Sequence, residues 1–349
     1  MGYFRENIEK LSGYVPGFQP SGLDVVKLNT NENPYPPSPG VAGVLRDFDI
    51  ALLRRYPSPV GAKFRKAAAQ LNGVEEGNII CTNGGDDLLT IAFRSFCDKS
   101  RAVAYPVPTY TLYDELAELQ ECPVIKVPFS SENLFDKLAA TNAKLVIFCN
   151  PNAPTGTYYQ PELIGGLAGK LEGRAVVLVD EAYADFAPGN CVSLIKEHKN
   201  LIILRSLSKG YSLAGLRFGY GIADSGLIDG MMTLKDSYNV DALSIEIATA
   251  AITDRAYFAK NIELVKSQRQ RVTEQLRAMG LDVPDSNTNF VFAKITNPQA
   301  AYVYEQLKKK NIFIRYFPLE GIADRLRITI GTAAENDKLL AGLKEILAD

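Results

Sequence analysis

The sequence predicts an α/β fold, with a mostly parallel sheet sandwiched by helices in a large domain and a smaller α+β domain beside it. Three observations carry this. From about Gly61 to Ala223, amphipathic helical segments alternate with short, β-branched apolar runs, as βαβ crossovers around a sheet buried on both faces require. After Ser244 the pattern changes to a long helical stretch followed by strands with flanking helices, an α+β arrangement. The 349 residues suffice for roughly two domains at about 150 residues each. The large domain is placed at residues 46–247, and the small one at 1–45 with 248–349.

The elements follow in order. Asp24 to Pro39 reads as one short strand and then a loop, NTNENPYPPSP. Proline lacks the N–H that a helix interior or central strand needs, and long loops are uncommon unless functional. GAKFRKAAAQL and DDLLTIAFRSF have helical spacing, AVAYP is a strand, and YTLYDELAEL is a helix. PVIKVP and AKLVIFCN are strands, ELIGGLAGKL is a helix, and AVVLVDEAY, LIILRS and LRFGYGIA are strands again. Beyond Ser244 come the strand NFVFAKI, a helix through AYVYEQLKKK, the strands IFIRYF and LRITI, and a closing helix, ENDKLLAGLKEIL.

Composition narrows the chemistry. Thirty-eight Lys plus Arg against 40 Asp plus Glu leave a net charge of −2, which offers no broad electrostatic grip on nucleic acid or anionic lipid. No window supplies the roughly 18 apolar residues of a membrane span. MGYFRENIEK carries charges where a signal peptide needs an apolar run, so a cytoplasmic protein is expected. Cys81, Cys97, Cys122, Cys149 and Cys191 are odd in number and contain no CxxC pair, which suggests neither a disulfide framework nor a metal cage. The single histidine, His198, lies in the charged run IKEHKN. A histidine-based triad or two-histidine metal site is therefore excluded, and chemistry must rest on Lys, Tyr, Asp and Arg with a borrowed cofactor.

In open α/β sheets ligands sit beyond the carboxyl ends of strands. Asp180 ends AVVLVD with Tyr183 just after it, SLSKG with Lys209 follows LIILRS, and NPNAPTG follows LVIFC. A lysine without histidine neighbours suits a Schiff base, and a carboxylate suits a cationic pyridine nitrogen, the pairing pyridoxal phosphate uses. TNGGDDLLTIAF supplies a glycine turn at a helix N-terminus, where N–H groups and the dipole favour a phosphate. Ser206, Ser208 and Arg217 add hydroxyls and a guanidinium.

NPNAPTG, VDEAY and SLSKGYSLAGLRFGY stand in this order, with LNTNENP, RYPSP, PTYTLY and LRITIGT around them. The set resembles the fold-type I aminotransferases that use pyridoxal phosphate, and its outer motifs are most similar to the histidinol-phosphate aminotransferases. That resemblance implies a Schiff-base and proton-shuttling role for Lys209, pairing of Asp180 with the ring nitrogen, and a hydrogen bond from Tyr183 to the ring oxygen. Tyr110 would stack on the ring, and Gly85, Asp86, Ser206, Ser208 and Arg217 would hold the phosphate. Tyr56 would reach the neighbouring subunit's phosphate, making a homodimer with shared sites. The implied reaction converts histidinol phosphate and 2-oxoglutarate to imidazole-acetol phosphate and glutamate, in histidine biosynthesis. An aromatic or other amino-acid aminotransferase and a threonine-phosphate decarboxylase are the alternatives.

Two departures stand out. Where the family motif has an asparagine before its second proline, this chain has Ala153, and Asn152 is the substitute candidate. TNGGDD replaces a small-Asp-Glu run. The substrate anion would be met by Arg327 and Arg315, with Tyr14 closing from the N-terminal arm. The small-molecule partners are then an amino donor and a 2-oxo acid.

Overall fold

A computed structural model describes residues 2–348 apart from 10, 12, 14–16, 21 and 23; Tyr14 therefore lies outside the described residues. The strands in chain order are β1 (Val26–Lys27), β2 (Ile79–Thr82), β3 (Val103–Val107), β4 (Val124–Pro128), β5 (Leu145–Cys149) and β6 (Val176–Asp180). They continue with β7 (Leu201–Ser206), β8 (Gly219–Ala223), β9 (Phe290–Lys294), β10 (Ile312–Phe313), β11 (Arg315–Tyr316) and β12 (Arg325–Thr329).

Seven of them form one sheet in the order β2-β8-β7-β6-β5-β3-β4. The β3–β4, β3–β5, β5–β6 and β6–β7 pairs are parallel, whereas β8 runs antiparallel to both β7 and β2. The period-two alternation of side chains sends Val146, Phe148, Val179 and Ile203 into one core with Phe64, Ile164 and Leu167. Leu145, Ile147, Leu178 and Ile202 enter another with Leu88, Ile91 and Phe93. Both faces are dry, which is why these strands read as continuous apolar runs. Truncation of such a residue, Ile203 for example, costs about 2–5 kcal/mol.

A third core gathers Val272, Leu276, Val291, Val303, Leu326, Ile328, Leu339 and Leu343. It lies against the antiparallel sheet β11-β12-β9 and helices Arg255–Ala278, Ala300–Lys309 and Ala333–Ala348. β1 pairs in parallel with β10, tying the N-terminal segment to this unit.

Three sequence expectations need correction. IFIRYF is two strands, since β10 pairs with β1 and β11 with β12, and the chain changes sheets at the buried Ile314. The helical stretch after Ser244 is two helices, Ala242–Thr253 and Arg255–Ala278, broken at Asp254. That carboxylate caps the second helix by accepting from Tyr257 N, and it also accepts from Ser38 Oγ at 2.5 Å. β2 is not among the strands expected from the sequence, since Ile79–Thr82 spans four residues, too few to display a period. Among the described residues no helix is long and apolar enough to cross a membrane, and no cluster of metal-ligating side chains occurs.

β3 and β5 are neighbours although β4 follows β3 on the outer side, so strand order reverses between them. That reversal opens a crevice beyond their carboxyl ends.

Candidate active site

The crevice is a cavity of about 720 Å³, within the usual range for small-molecule sites. It is lined by residues that follow β2, β3, β5, β6 and β7, and by Arg315, Phe317 and Arg327 from the smaller sheet's side.

Lys209 lies three residues past β7. The loop is drawn tight by Ser208 N donating to Ser206 Oγ at 3.1 Å and by Leu207 N and Leu213 N donating to Phe218 O and Leu207 O, each at 3.1 Å. A Cβ at Gly210 would come within 2.2 Å of Asp185 Oδ2, so glycine alone permits this approach. Asp185 belongs to a buried ion network with Arg205 at 2.5 Å, and Arg205 also meets Glu181 at 3.1 Å. Lys209 Nζ donates to Thr30 O at 3.2 Å. Burial, reinforced by the Arg327 charge, lowers its pKa to about 8.

Asp180 ends β6 and is buried. Tyr113 donates its hydroxyl to Oδ2 at 2.7 Å and Ala182 N donates to Oδ1 at 3.1 Å. Burial raises the carboxyl's pKa, and the Tyr113 hydrogen bond acts against that rise. Tyr183 packs with Ala153 and Phe290, and its hydroxyl accepts from Asn31 Nδ2 at 2.8 Å.

An anion cradle occupies one end. The helix Gly85–Phe96 begins after Gly84 and presents Gly85 and Asp86 to the cavity beside Ser206, Ser208 and Arg217. Its first-turn N–H groups have no acceptor within the helix. A Cβ at Gly219 would meet Gly84 C at 2.7 Å, so only glycine lets β8 pass this turn. Arg217 adopts a left-handed φ of 56° and donates to Asp86 Oδ2 at 3.2 Å. Tyr110 also lines the cavity, with its hydroxyl 3.4 Å from Asp86 Oδ1.

At the other end Arg315 and Arg327 are register partners. The Arg327 guanidinium lies 5.4 Å from the ring centroids of both Phe290 and Phe317, and that of Arg315 lies 5.2 Å from Phe317. Arg327 Nη2 donates to Asn29 O at 2.9 Å.

Eleven of the fourteen sequence candidates therefore meet at one cavity: Gly85, Asp86, Tyr110, Asp180, Tyr183, Ser206, Ser208, Lys209, Arg217, Arg315 and Arg327. Asn152 does not join them. Its amide donates to Pro108 O at 3.0 Å and Thr155 Oγ1 at 2.9 Å and accepts from Thr109 Oγ1 at 2.8 Å, so it braces the loop after β5, and Ala153 lines the cavity instead. The expectation that Asn152 supplies the missing amide is not met by this geometry. Tyr56 lies away from the cavity, 81% exposed and stacked on Tyr238 at 4.4 Å. Tyr14 lies outside the described residues.

Sequence reasoning missed Tyr113 and Asn31. Tyr113 follows Tyr110 by three residues in PTYTLY, a helical spacing that could have suggested it. Asn31 sat in a loop already marked as unusual, with nothing local to single it out.

The aminotransferase class I and II family model matches residues 23–343. Histidinol-phosphate aminotransferase 1 of Nostoc sp. is 44% identical over 99% of this chain and 98% of its own length. The protein of the same name from Trichormus variabilis is 43% identical over 99% of each. The crystal structure of histidinol-phosphate aminotransferase from Sinorhizobium meliloti, solved with pyridoxal 5'-phosphate, covers 100% of this chain and 98% of its own at a TM-score of 0.91 and 24% identity. The family match spans the large sheet, the lysine loop and the opposed arginines and takes in every residue lining the cavity except Gly17 and Gln19: the chain belongs to the class I and II aminotransferases.

Proposed function

We propose that this enzyme moves an amino group from histidinol phosphate to 2-oxoglutarate with pyridoxal phosphate as cofactor, a step of histidine biosynthesis. The observation that carries the reading is a single cavity holding a lysine of lowered pKa, a buried carboxylate and an anion cradle, faced by two arginines. The full-length likeness to relatives named histidinol-phosphate aminotransferase supports the donor.

The donor set fits the cofactor. Gly85 and Asp86 N–H groups, Ser206, Ser208 and Arg217 would hold its phosphate, Asp180 its ring nitrogen, Tyr183 its ring oxygen, and Tyr110 its face. When bound, pyridoxal phosphate supplies an aldehyde that takes up the substrate amine and a ring that withdraws electrons from Cα. Lys209 Nζ, neutral in a usable fraction near pH 7, would hold and move a proton at the substrate Cα. Asp180 would place negative charge at the ring nitrogen's position and so favour its protonated form. Arg327, aided by Arg315, binds the substrate anion, since a planar guanidinium fork suits a carboxylate or a phosphate alike. Tyr14 is assigned the far side of that anion.

Domain and assembly readings belong here as well. Residues 46–247 form the cofactor-binding domain, and 1–45 with 248–349 form the domain that closes on substrate. The enzyme is a cytoplasmic homodimer. Leu45, Ile50, Leu53, Tyr56 and Tyr238 are exposed, and an apolar surface of this kind supports a partner copy there.

The test is a substrate panel on the loaded enzyme with 2-oxoglutarate as acceptor, comparing kcat/KM for histidinol phosphate, phenylalanine, tyrosine and threonine phosphate. Histidinol phosphate is expected to lead. Preference for an aromatic amino acid, or carbon dioxide release from threonine phosphate, would overturn the reading.

A further inference from the structure

Asn31 lies 1% exposed between the two arms of the site. Its φ of 56° is left-handed, a conformation asparagine tolerates better than most residues. Four of its polar groups are engaged. Its N–H donates to Thr329 Oγ1 at 3.0 Å, its side-chain Oδ1 accepts from that same hydroxyl at 3.0 Å, and its carbonyl accepts from Asn289 Nδ2 at 2.8 Å. The fourth, Nδ2, donates to the Tyr183 hydroxyl at 2.8 Å.

These bonds have a direction. Thr329 Oγ1 has one proton and takes the Asn31 N–H on a lone pair, so its proton goes to Asn31 Oδ1. Asn31 Oδ1 is thereby fixed as acceptor, and the amide nitrogen must face Tyr183. Tyr183 then accepts from Asn31 and keeps its own proton for the cavity it lines. Burial pushes its pKa up to about 12, so the proton is present at working pH.

We infer that Asn31 is a positioning residue that makes Tyr183 a hydrogen-bond donor toward the ligand, with its amide locked by Thr329. This rests on the proposed function, in which Tyr183 meets the ring oxygen of the cofactor. Thr329 lies two residues beyond Arg327 on β12 and so shares its face of the strand. The strand that carries the substrate arginine thus also sets the Tyr183 proton. Arg327, Asp180, the Cys149 thiol and Lys209 also face Tyr183, and Lys209 donates to the carbonyl of Thr30, the residue before Asn31, so a charge introduced at position 31 acts on them directly whereas loss of the amide alone does not.

The test compares Asn31→Asp and Asn31→Gly, both compatible with the left-handed backbone, in wild-type and Tyr183→Phe backgrounds. A carboxylate at position 31 can only accept, so it draws the Tyr183 proton away from the cavity. Withdrawing a donor from the deprotonated form of a group raises its pKa. The pH midpoint of the loaded protein's visible band is therefore expected to rise by about one unit in Asn31→Asp and by less in Asn31→Gly. Once Tyr183 is Phe, Asn31→Gly should leave the midpoint in place, and the shift in Asn31→Asp should shrink to the part that its added charge alone produces. In the cofactor-free protein, NMR of isotope-labelled tyrosine should show the Tyr183 ionisation moving upward in Asn31→Asp. An unchanged midpoint in Asn31→Asp, or an equal shift with and without the Tyr183 hydroxyl, overturns the inference. Failure of the wild type to bind pyridoxal phosphate would sink the functional reading instead, and the cofactor-free measurement still decides the role of Asn31.

Discussion

Arg315 and Arg327 stand opposite each other across the antiparallel pair β11 and β12, with Phe317 within cation–π distance of both guanidiniums. Like charges in directly opposed positions destabilise a sheet. The arrangement is sensible where an anion arrives between them, and it points both side chains to the cavity that Lys209 shares.

Arg327→Ala should therefore impair both half-reactions. The same fork meets the glutamate carboxylate in one and the phosphate of histidinol phosphate in the other. Loss of a charged hydrogen bond made in both complexes is expected to lower kcat/KM by about 2–3 kcal/mol, roughly 30- to 150-fold, for each substrate. Measuring the two half-reactions separately checks this. A defect confined to one of them would show that the anions bind at different places.

Lys209, with its pKa lowered to about 8, is roughly one-tenth neutral at pH 7, where an ordinary lysine is neutral in only a few molecules per ten thousand. The rate at which the cofactor-free protein takes up pyridoxal phosphate should rise about tenfold from pH 6 to 7 and level off above about 8. The stability linkage has a definite sign. Between about 8 and 10.5 the unfolded chain holds more protons on this residue than the folded one, so wild-type stability grows with pH through that window. Cofactor-free Lys209→Met is then expected to be more stable than wild type below pH 8, by on the order of 2 kcal/mol, with the gain fading toward pH 10.5. Denaturant titrations at several pH values read this directly.

Asp180→Asn preserves shape and still accepts the Tyr113 hydroxyl, but it removes the charge that the ring nitrogen needs. Turnover is expected to drop roughly 100-fold or more, with circular dichroism and cofactor content little changed. An ordinary rate in this variant would assign stabilisation of the substrate carbanion to another group.

The site was legible in sequence where chemistry sits next to a strand end. Asp180, Tyr183, Ser206, Ser208 and Lys209 lie within a few residues of β6 or β7, and buried apolar runs announce those strands. Contacts made across the fold were not legible. Asn31 meets Tyr183 from 152 positions away and Tyr113 meets Asp180 from 67, and no local pattern encodes either pairing. Asn152 misled because its side chain serves the loop after β5, a partnership with Thr109 and Thr155 that adjacency to Ala153 does not reveal. The break in IFIRYF was hidden for a related reason. Both halves are apolar and β-branched enough to be strand, and only their separate partners, β1 and β12, divide them.

The last prediction concerns the shared site. Tyr56 is 81% exposed and stacked flat on Tyr238, at an interplanar angle of 17°, an arrangement that leaves two aromatic rings in water unless a partner covers them. Leu45, Ile50 and Leu53 are exposed on the segment leading to Tyr56, and such a patch gains by pairing with its own copy across a two-fold axis. If the Tyr56 hydroxyl then reaches the partner's anion cradle, each site draws Lys209 from one chain and Tyr56 from the other. A Lys209→Ala chain and a Tyr56→Phe chain are each impaired alone. In a mixed dimer, one of the two sites combines an intact Lys209 with an intact Tyr56 from the other chain. Mixing after gentle dissociation should therefore raise activity above that of both parents, toward half the wild-type value per mixed dimer, while sedimentation shows a dimer throughout. Activity that never exceeds the better parent, or a fully active monomer, would place Tyr56 outside the neighbour's site.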